Sequence, residues 1–134
     1  MTRSAVHTDQ APAAIGPYSQ AVHCGHLLFV SGTLPVDPRT GQLVGGDIEA
    51  QSRQVFRNLA AIAEAAGGQL ADAVKVTVFL TDLGEFQRVN GVYREWFGEP
   101  FPARSTVQVA ALPLGAPLEV EAIIALAPSP AGRA

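Results

Sequence analysis

Residues 101–126, FPARSTVQVAALPLGAPLEVEAIIAL, contain two alternating stretches that decide the fold class. Arg104 to Ala110 and Leu118 to Leu126 each have the two-residue period of a β-strand, whose side chains point alternately to opposite faces. The guanidinium of Arg104 then lies on one face of the first strand, at its start. The carboxylates of Glu119 and Glu121 lie together on one face of the second strand. The pattern predicts a sheet on which the guanidinium and the two carboxylates share a surface.

This combination has two interpretations. A guanidinium fork is suited to bidentate capture of a small carboxylate, and a nearby glutamate can hold or activate a water molecule. The alternative is a cross-strand ion pair on the solvated face of an antiparallel sheet, which is common and contributes little to stability. Taken alone, the two strands favour the ion pair.

In the rest of the chain, the sequence pattern predicts three more strands and two helices. Tyr18 to Cys24 and Leu27 to Ser31 form a hairpin joined by Gly25-His26. Ala73 to Leu80 has a long apolar face, typical of a central strand, with Val74, Val76, Val78 and Leu80 on one side. The first dozen residues and the tail 128–134 lack periodicity and are expected to be irregular.

Both helices have start and stop signals. Asp47 is a good N-cap for an amphipathic helix of about 19 residues, which Gly67-Gly68 ends. Asp82-x-x-Glu85 resembles a capping box that starts the second helix, and Gly98 lies where that helix ends. Asn90 lies in this helix beside a glycine that is unfavourable there, so close packing or contact with a ligand is one explanation for the pair.

The order of elements predicts an α+β fold in which two helices pack on one face of a mixed sheet. The other sheet face has nothing in the chain to cover it. By alternation it carries Leu27, Phe79 and Ile123, so we expect a subunit interface there.

Composition narrows the function classes. The 134 residues form one domain, 1–134, with a net charge of −3 and a single lysine, Lys75, which argues against binding to a nucleic-acid backbone. Cys24 is the only cysteine, which fits a reducing cytoplasm and excludes a multi-cysteine metal site. No apolar run is long enough to span a membrane, so we predict no membrane-spanning segment. The spacing of His7, His23 and His26 is not that of a metal site, so we predict no bound metal ion.

Five blocks together resemble the RidA (YjgF) family across residues 11–126. They are Ile15-Gly16-Pro17-Tyr18-Ser19-Gln20-Ala21, Ser31-Gly32, Val89-Asn90, Phe101-Pro102-Ala103-Arg104-Ser105 and Leu118-Glu119-Val120-Glu121-Ala122. The resemblance implies a chorismate-mutase-like fold, a homotrimer with sites between subunits, and no cofactor. It also implies hydrolysis of reactive enamines and imines of 2-oxo acids, such as 2-aminoacrylate and 2-iminobutanoate, to the oxo acid and ammonia.

The resemblance also implies roles for individual residues. Arg104 would hold the substrate carboxylate, and Glu119 would position the attacking water and assist proton transfer. The pocket would be shaped by Tyr18, Ser31, Gly32, Asn90 and Thr106, with Tyr18 and Arg104 from neighbouring chains. Thr106 stands where many members have cysteine, so any inactivation that depends on that thiol should be absent. The alternative function is a trimer that binds 2-oxo acids and regulates without turnover.

Overall fold

The computed structural model describes residues 2–127, in which two helices cover one face of a six-stranded sheet. The elements are β1 (Arg3–Val6), β2 (Ala21–Cys24), β3 (Leu27–Thr33), β4 (Val36–Asp37), β5 (Gln42–Leu43), α1 (Ile48–Ala65), β6 (Ala73–Leu80), α2 (Phe86–Trp96), β7 (Ala103–Gln108) and β8 (Leu118–Ala125). The large sheet has the order β1-β2-β3-β8-β6-β7, and β4 and β5 form a separate hairpin. The predicted α+β class, with a mixed sheet and two helices on one face, is confirmed.

Only β6 and β7 pair in parallel, and every other neighbouring pair in the large sheet is antiparallel. The chain connects these two parallel strands through α2, as a crossover requires. Strand β7 is an edge strand with a single neighbour, β6. The residues at the start of β7 therefore lie at the rim of the sheet, next to α2.

Helix α1 forms as its signals predict. The Asp47 side chain caps it by accepting a hydrogen bond from the backbone N–H of Ala50 at 2.9 Å. The chain leaves the helix through Gly67, whose φ of +82° is strained for any residue with a side chain. The inner face buries Phe56 completely, and its ring contacts Tyr93 and Trp96 of α2 at centroid distances of 6.0 and 6.3 Å. This packing sets the position of α2 against the sheet.

Two local expectations about the strands are wrong. The first dozen residues are not all irregular, because Arg3–Val6 pairs with Ala21–Cys24; this short, mostly exposed strand has no apolar period to reveal it. Val74 does not share the buried face of β6, because a register shift between Ala73 and Lys75 leaves it 46 % exposed. The irregular tail expected at residues 128–134 lies outside the described residues.

The capping box expected at the start of the second helix is also wrong. Asp82 accepts from the backbone N–H of Gly84 within a 3₁₀ turn, Leu83–Glu85, that precedes α2. The Glu85 carboxylate accepts from Arg88 instead of reaching back to Asp82. A reciprocal capping box needs that return bond, so the sequence pattern here marks a tight turn.

The face of the sheet opposite the helices is open, as predicted, and carries exposed apolar side chains. Phe29 of β3 is 42 % exposed and pairs with Ile123 of β8, and Phe79 of β6 pairs with Glu119 on the same side. Val107 of β7 is also 42 % exposed and pairs with Phe79. We call this surface the open face. Within residues 2–127, no helix is long and apolar enough to cross a membrane.

A buried amide fastens the segment after β3 to α1. Asn58 is 1 % exposed and donates to the carbonyl oxygens of Leu34 and Val36, at 3.1 and 2.9 Å. Its own oxygen accepts from Gln54. Because buried carbonyl groups without a partner are costly, this amide holds the chain that follows Gly32 against the helix layer.

We expect Asn58→Ala to lower the free energy of unfolding by about 2 to 3 kcal/mol, since it leaves two carbonyl oxygens without their donor. Urea denaturation at one fixed protein concentration measures the loss. Gln54→Ala is the matched control, because it removes a donor to Asn58 but leaves both carbonyl bonds intact. Its loss should stay below about 1 kcal/mol, and equal losses for the two variants would contradict the role of Asn58.

Candidate functional site

The strand register divides the predicted site residues between the two faces of the sheet. Arg104 of β7 lies opposite Val76 of β6, and Val76 is completely buried under the helices. Glu119 and Glu121 of β8 lie opposite Phe79 and Thr77, on the open face. The expectation that the guanidinium and the carboxylates share a surface is therefore wrong within one chain. Alternation determines which residues of a strand go together, but the pairing with β6 determines which face each set takes.

Helix α2 holds the Arg104 side chain from one side. Its guanidinium donates to the Asn90 amide oxygen at 2.8 Å and lies over the Tyr93 ring, 4.6 Å from the ring centroid. The Phe86 ring is 5.5 Å away. A guanidinium stacked on aromatic rings is attracted by their negative faces, and one amide bond leaves further N–H groups free to bind a ligand. The structure thus brings together Arg104 and Asn90, two of the candidate site residues.

A cavity of about 330 Å³ opens beside this guanidinium. It is lined by Asn90, Tyr93, Arg94, Phe101, Pro102 and Arg104, which we call the arginine site. The sequence analysis assigned no functional role to Tyr93 or Arg94. The signal for both was helical spacing, because positions three and four residues beyond Asn90 lie on the same side of the helix.

Tyr93 combines a structural and an electrostatic role. It is 4 % exposed, and its hydroxyl is buried without a hydrogen-bond partner among the described residues. Burial raises the pKa of the Tyr93 phenol, and the positive charge of Arg104 opposes part of that rise. The phenol therefore stays neutral beside Arg104, and the ring contributes its face to the guanidinium.

Glu119 and Gly32 form a second arrangement, the glutamate site, on the open face. A Cβ atom at Gly32 would lie 2.7 Å from an oxygen of the Glu119 carboxylate, far inside van der Waals contact. A glycine at this position of β3 is therefore required for the carboxylate to rest against the strand. The predicted pair of Gly32 and Glu119 is brought together.

The protonation of Glu119 is shifted by its surroundings. Partial burial raises the pKa of its carboxyl group, and the like charge of Glu121 two residues away raises it further. A carboxylate that is easier to protonate is a better proton acceptor, which is the property needed of a general base.

Ser31 lies within β3, and Tyr18 lies shortly before β2. The Ser31 hydroxyl donates to the carbonyl oxygen of Ser19 at 2.6 Å, within the irregular part of β3 where the register shifts. Tyr18 is 53 % exposed, and its hydroxyl oxygen accepts from the backbone N–H of Ile15. The structure thus places Ser31 next to Gly32 in the strand and leaves Tyr18 on the surface.

Thr106 follows Arg104 by two residues and points to the same side of β7. Its hydroxyl is buried and has no hydrogen-bond partner among residues 2–127. Gly91, next to Asn90, would meet nothing within 4 Å if it carried a Cβ atom, so close packing within the chain does not explain that glycine. Contact with Arg104 does account for Asn90.

The two arrangements have complementary chemistry. The arginine site can bind a carboxylate through a fixed planar fork, and the glutamate site can accept a proton from water. In residues 2–127, no group of three or more His, Cys, Asp or Glu residues is placed to hold a metal ion. A guanidinium that orients a carboxylate and a carboxylate that accepts a proton are the parts of an orienting and proton-transferring site.

The chain is similar to known proteins both in sequence and in structure. The family described as Endoribonuclease L-PSP matches residues 8–126. A RutC family protein of Pyrococcus horikoshii is 50 % identical over 121 residues, covering 90 % of this chain and 96 % of the relative. A bovine protein named 2-iminobutanoate/2-iminopropanoate deaminase is 45 % identical over 128 residues, covering 96 % and 93 %. The crystal structure of a protein from Thermotoga maritima, described as a putative endoribonuclease, superposes with a TM-score of 0.90 at 55 % identity, covering 92 % and 98 %.

The raised pKa of Glu119 predicts a pH-dependent stability. Because the folded state binds the proton more tightly than the unfolded chain, stability falls as pH rises from the usual value of 4.5 through the folded pKa. We expect Glu119→Gln to remove this loss. The free energy of unfolding of the variant minus that of the wild type should therefore increase with pH across this range, and above the folded pKa it should stay constant. Urea denaturation at fixed protein concentration between about pH 4 and pH 8 measures it.

Glu64→Gln, at an exposed position of α1, is the control for removing one carboxylate. It should leave the difference from the wild type nearly constant over the same range. A Glu119→Gln variant whose advantage shrinks as the pH rises would contradict the direction of the shift.

Proposed function

The chain belongs to the Endoribonuclease L-PSP family, which is the YjgF/RidA family, and we propose that it is a hydrolytic deaminase of reactive 2-imino acids. The observation that carries the proposal is Arg104, held by Asn90 and the Tyr93 ring beside an open cavity. A fixed guanidinium of this kind suits the carboxylate common to 2-imino and 2-oxo acids. The name of the bovine relative supports the same substrates, 2-iminobutanoate and 2-iminopropanoate.

The reaction needs orientation, one water and a proton acceptor. Arg104 binds the substrate carboxylate and so fixes the position of the adjacent C2 atom, which is electrophilic when the imine nitrogen is protonated. Glu119 accepts a proton from water as its oxygen bonds to C2, giving a carbinolamine. Return of that proton to nitrogen makes ammonia the leaving group. As the C–N bond breaks and the C=O bond forms, the carbinol hydroxyl gives its proton to Glu119, which passes it to the departing ammonia, so that the 2-oxo acid and ammonium are released. No nucleophilic side chain and no cofactor takes part in these steps.

The other candidate residues have supporting roles in this proposal. Gly32 leaves the space in which the Glu119 carboxylate rests, and Asn90 orients Arg104. Ser31 and Tyr18 border the pocket, and the backbone carbonyl of Thr106 is available as a contact for the substrate amine. Because the thiol found here in other members is replaced by a hydroxyl, alkylating agents should not inactivate the site through this position.

The two faces of the sheet explain why one chain is insufficient. Arg104 lies on the helix side of edge strand β7, whereas Glu119 lies on the open face. A carboxylate on the open face of one chain can reach the arginine site only of another chain. We therefore propose a homotrimer in which the apolar open face is buried and each site takes Arg104 from one subunit and Glu119 from its neighbour. A closed ring formed by one repeated head-to-tail contact produces such shared sites.

The remaining properties support a small-molecule enzyme of the cytoplasm. The net charge of −3 and the single lysine are unfavourable for an RNA backbone, although the family description names a ribonuclease. A single cysteine is consistent with a reducing compartment.

Ammonia release from freshly generated 2-iminobutanoate tests the activity. A threonine dehydratase supplies the imine, and the wild type should accelerate its hydrolysis. We expect Arg104→Lys to lower kcat/KM by about 10- to 100-fold, since a lysine keeps the charge but loses the bidentate fork. Arg57→Lys is the matched control, because Arg57 is exposed on α1, donates a hydrogen bond to Gln54 and does not line the arginine site. That variant should match the wild type.

Two outcomes would redirect the proposal. Near-normal turnover by Arg104→Lys would contradict the role of Arg104 as the carboxylate clamp. Calorimetric binding of 2-oxobutanoate by a wild type that does not accelerate imine loss would favour a trimer that binds 2-oxo acids without turnover.

Mixing two inactive variants tests the shared site. Arg104→Ala and Glu119→Gln chains, co-expressed in equal amounts, should regain about a quarter of the wild-type activity, because some interfaces combine the intact arginine with the intact glutamate. Each variant alone should be inactive. The purified mixture should have a mass of about 42 kDa, three times the 14.0 kDa chain. An inactive mixture of that mass would contradict sites shared between subunits.

A further inference from the structure

Arg94 places a second guanidinium at the arginine site. It lines the same cavity of about 330 Å³ as Arg104, together with Asn90, Tyr93 and two apolar residues. The lining contains two arginines and no carboxylate. The cavity is thus more positive than the capture of one carboxylate requires.

Arg94 is exceptional among the arginines of the two helices. Arg53 and Arg88 pair with carboxylates, and Arg57 donates to Gln54. Among residues 2–127, no carboxylate lies within 4 Å of the Arg94 guanidinium, and no side chain or backbone group accepts a hydrogen bond from it. Its donors are therefore available to a ligand.

The helix directs Arg94 toward Arg104. Asn90 and Arg94 are one turn apart on the same side of α2, so their Cβ atoms are about 5 to 6 Å from each other. Long side chains on a helix lean toward its N-terminus, which brings Arg94 back over the turn that carries Asn90. Asn90 in turn holds Arg104 at 2.8 Å. The two guanidinium groups therefore border one space from adjacent positions.

We propose that Arg94 is a specificity-determining residue that binds the second carboxylate of dicarboxylic 2-imino acids whose first carboxylate is held by Arg104. The inference rests on the proposed function, because it assumes that Arg104 is the clamp for the first carboxylate. Phe101 and Pro102 provide an apolar wall for the carbon chain between the two acid groups. The cavity volume is at the small end of the roughly 300 to 1,000 Å³ usual for small-molecule sites, which suits a short diacid.

Binding of stable 2-oxo acids tests Arg94 without depending on turnover. The full-length wild type is titrated calorimetrically with 2-oxoglutarate and with 2-oxopentanoate, which has the same number of carbons but one carboxylate. We expect the wild type to prefer the diacid, and Arg94→Gln to weaken binding of the diacid about three- to tenfold while leaving the monoacid within about twofold. Higher salt should weaken diacid binding by the wild type more than by the variant.

Arg57→Gln is the matched control, since it removes the same charge from the exposed surface of α1 and should leave the preference unchanged. Arg104→Ala separates this inference from the proposed function, because it should weaken binding of both acids. If Arg104→Ala does so but Arg94→Gln leaves the ratio of the two affinities unchanged, only the role of Arg94 is overturned. A wild type without preference for the diacid also overturns it. If Arg104→Ala alters neither affinity, the clamp in the proposed function fails.

Discussion

The parallel pairing of β7 with β6 is the constraint on which the site depends. It places Arg104 opposite Val76 and so turns the guanidinium toward the helix layer. A shift of one residue would send the same side chain to the open face, because side chains alternate with a period of two. The antiparallel pairing of β8 with β6 places Glu119 opposite Phe79 and has the opposite result for the carboxylate. One central strand thus determines the faces of both charged groups.

The side chain of Arg104, the proposed carboxylate clamp, is held in place by the chain itself. Asn90 fixes one nitrogen of the guanidinium, and the Tyr93 ring supports its face. Tyr93 itself is held by Phe56 of α1, with the rings edge to face and their centroids 6.0 Å apart. Core packing between the helices therefore continues directly to the functional side chain. Because little side-chain freedom is left to lose, binding to such an arginine requires little ordering.

The position of the Glu119 carboxylate depends on the absence of a side chain at Gly32. Gly32 has no side chain where a Cβ atom would meet the carboxylate at 2.7 Å, so Glu119 can rest against β3. The half-buried position and the nearby Glu121 raise the pKa of the carboxyl group. The surrounding open face is apolar, and its exposed Phe29 gains by being covered. In the proposed homotrimer, one contact both covers this face and completes the site.

Both helices and five of the strands, with their order along the chain, could be predicted from the sequence, because period, caps and turn residues act locally. Asp47, Gly67 and the apolar period of α1 marked that helix, and the recognisable blocks around Arg104 and Glu119 marked the candidate residues. The short strand Arg3–Val6 escaped prediction because exposed edge strands need no apolar pattern. Only the tertiary structure decided that Arg104 and Glu119 lie on opposite faces, since register arises from pairing between strands distant in the chain. For the same reason, Arg94 became a candidate only when folding brought α2 against the start of β7.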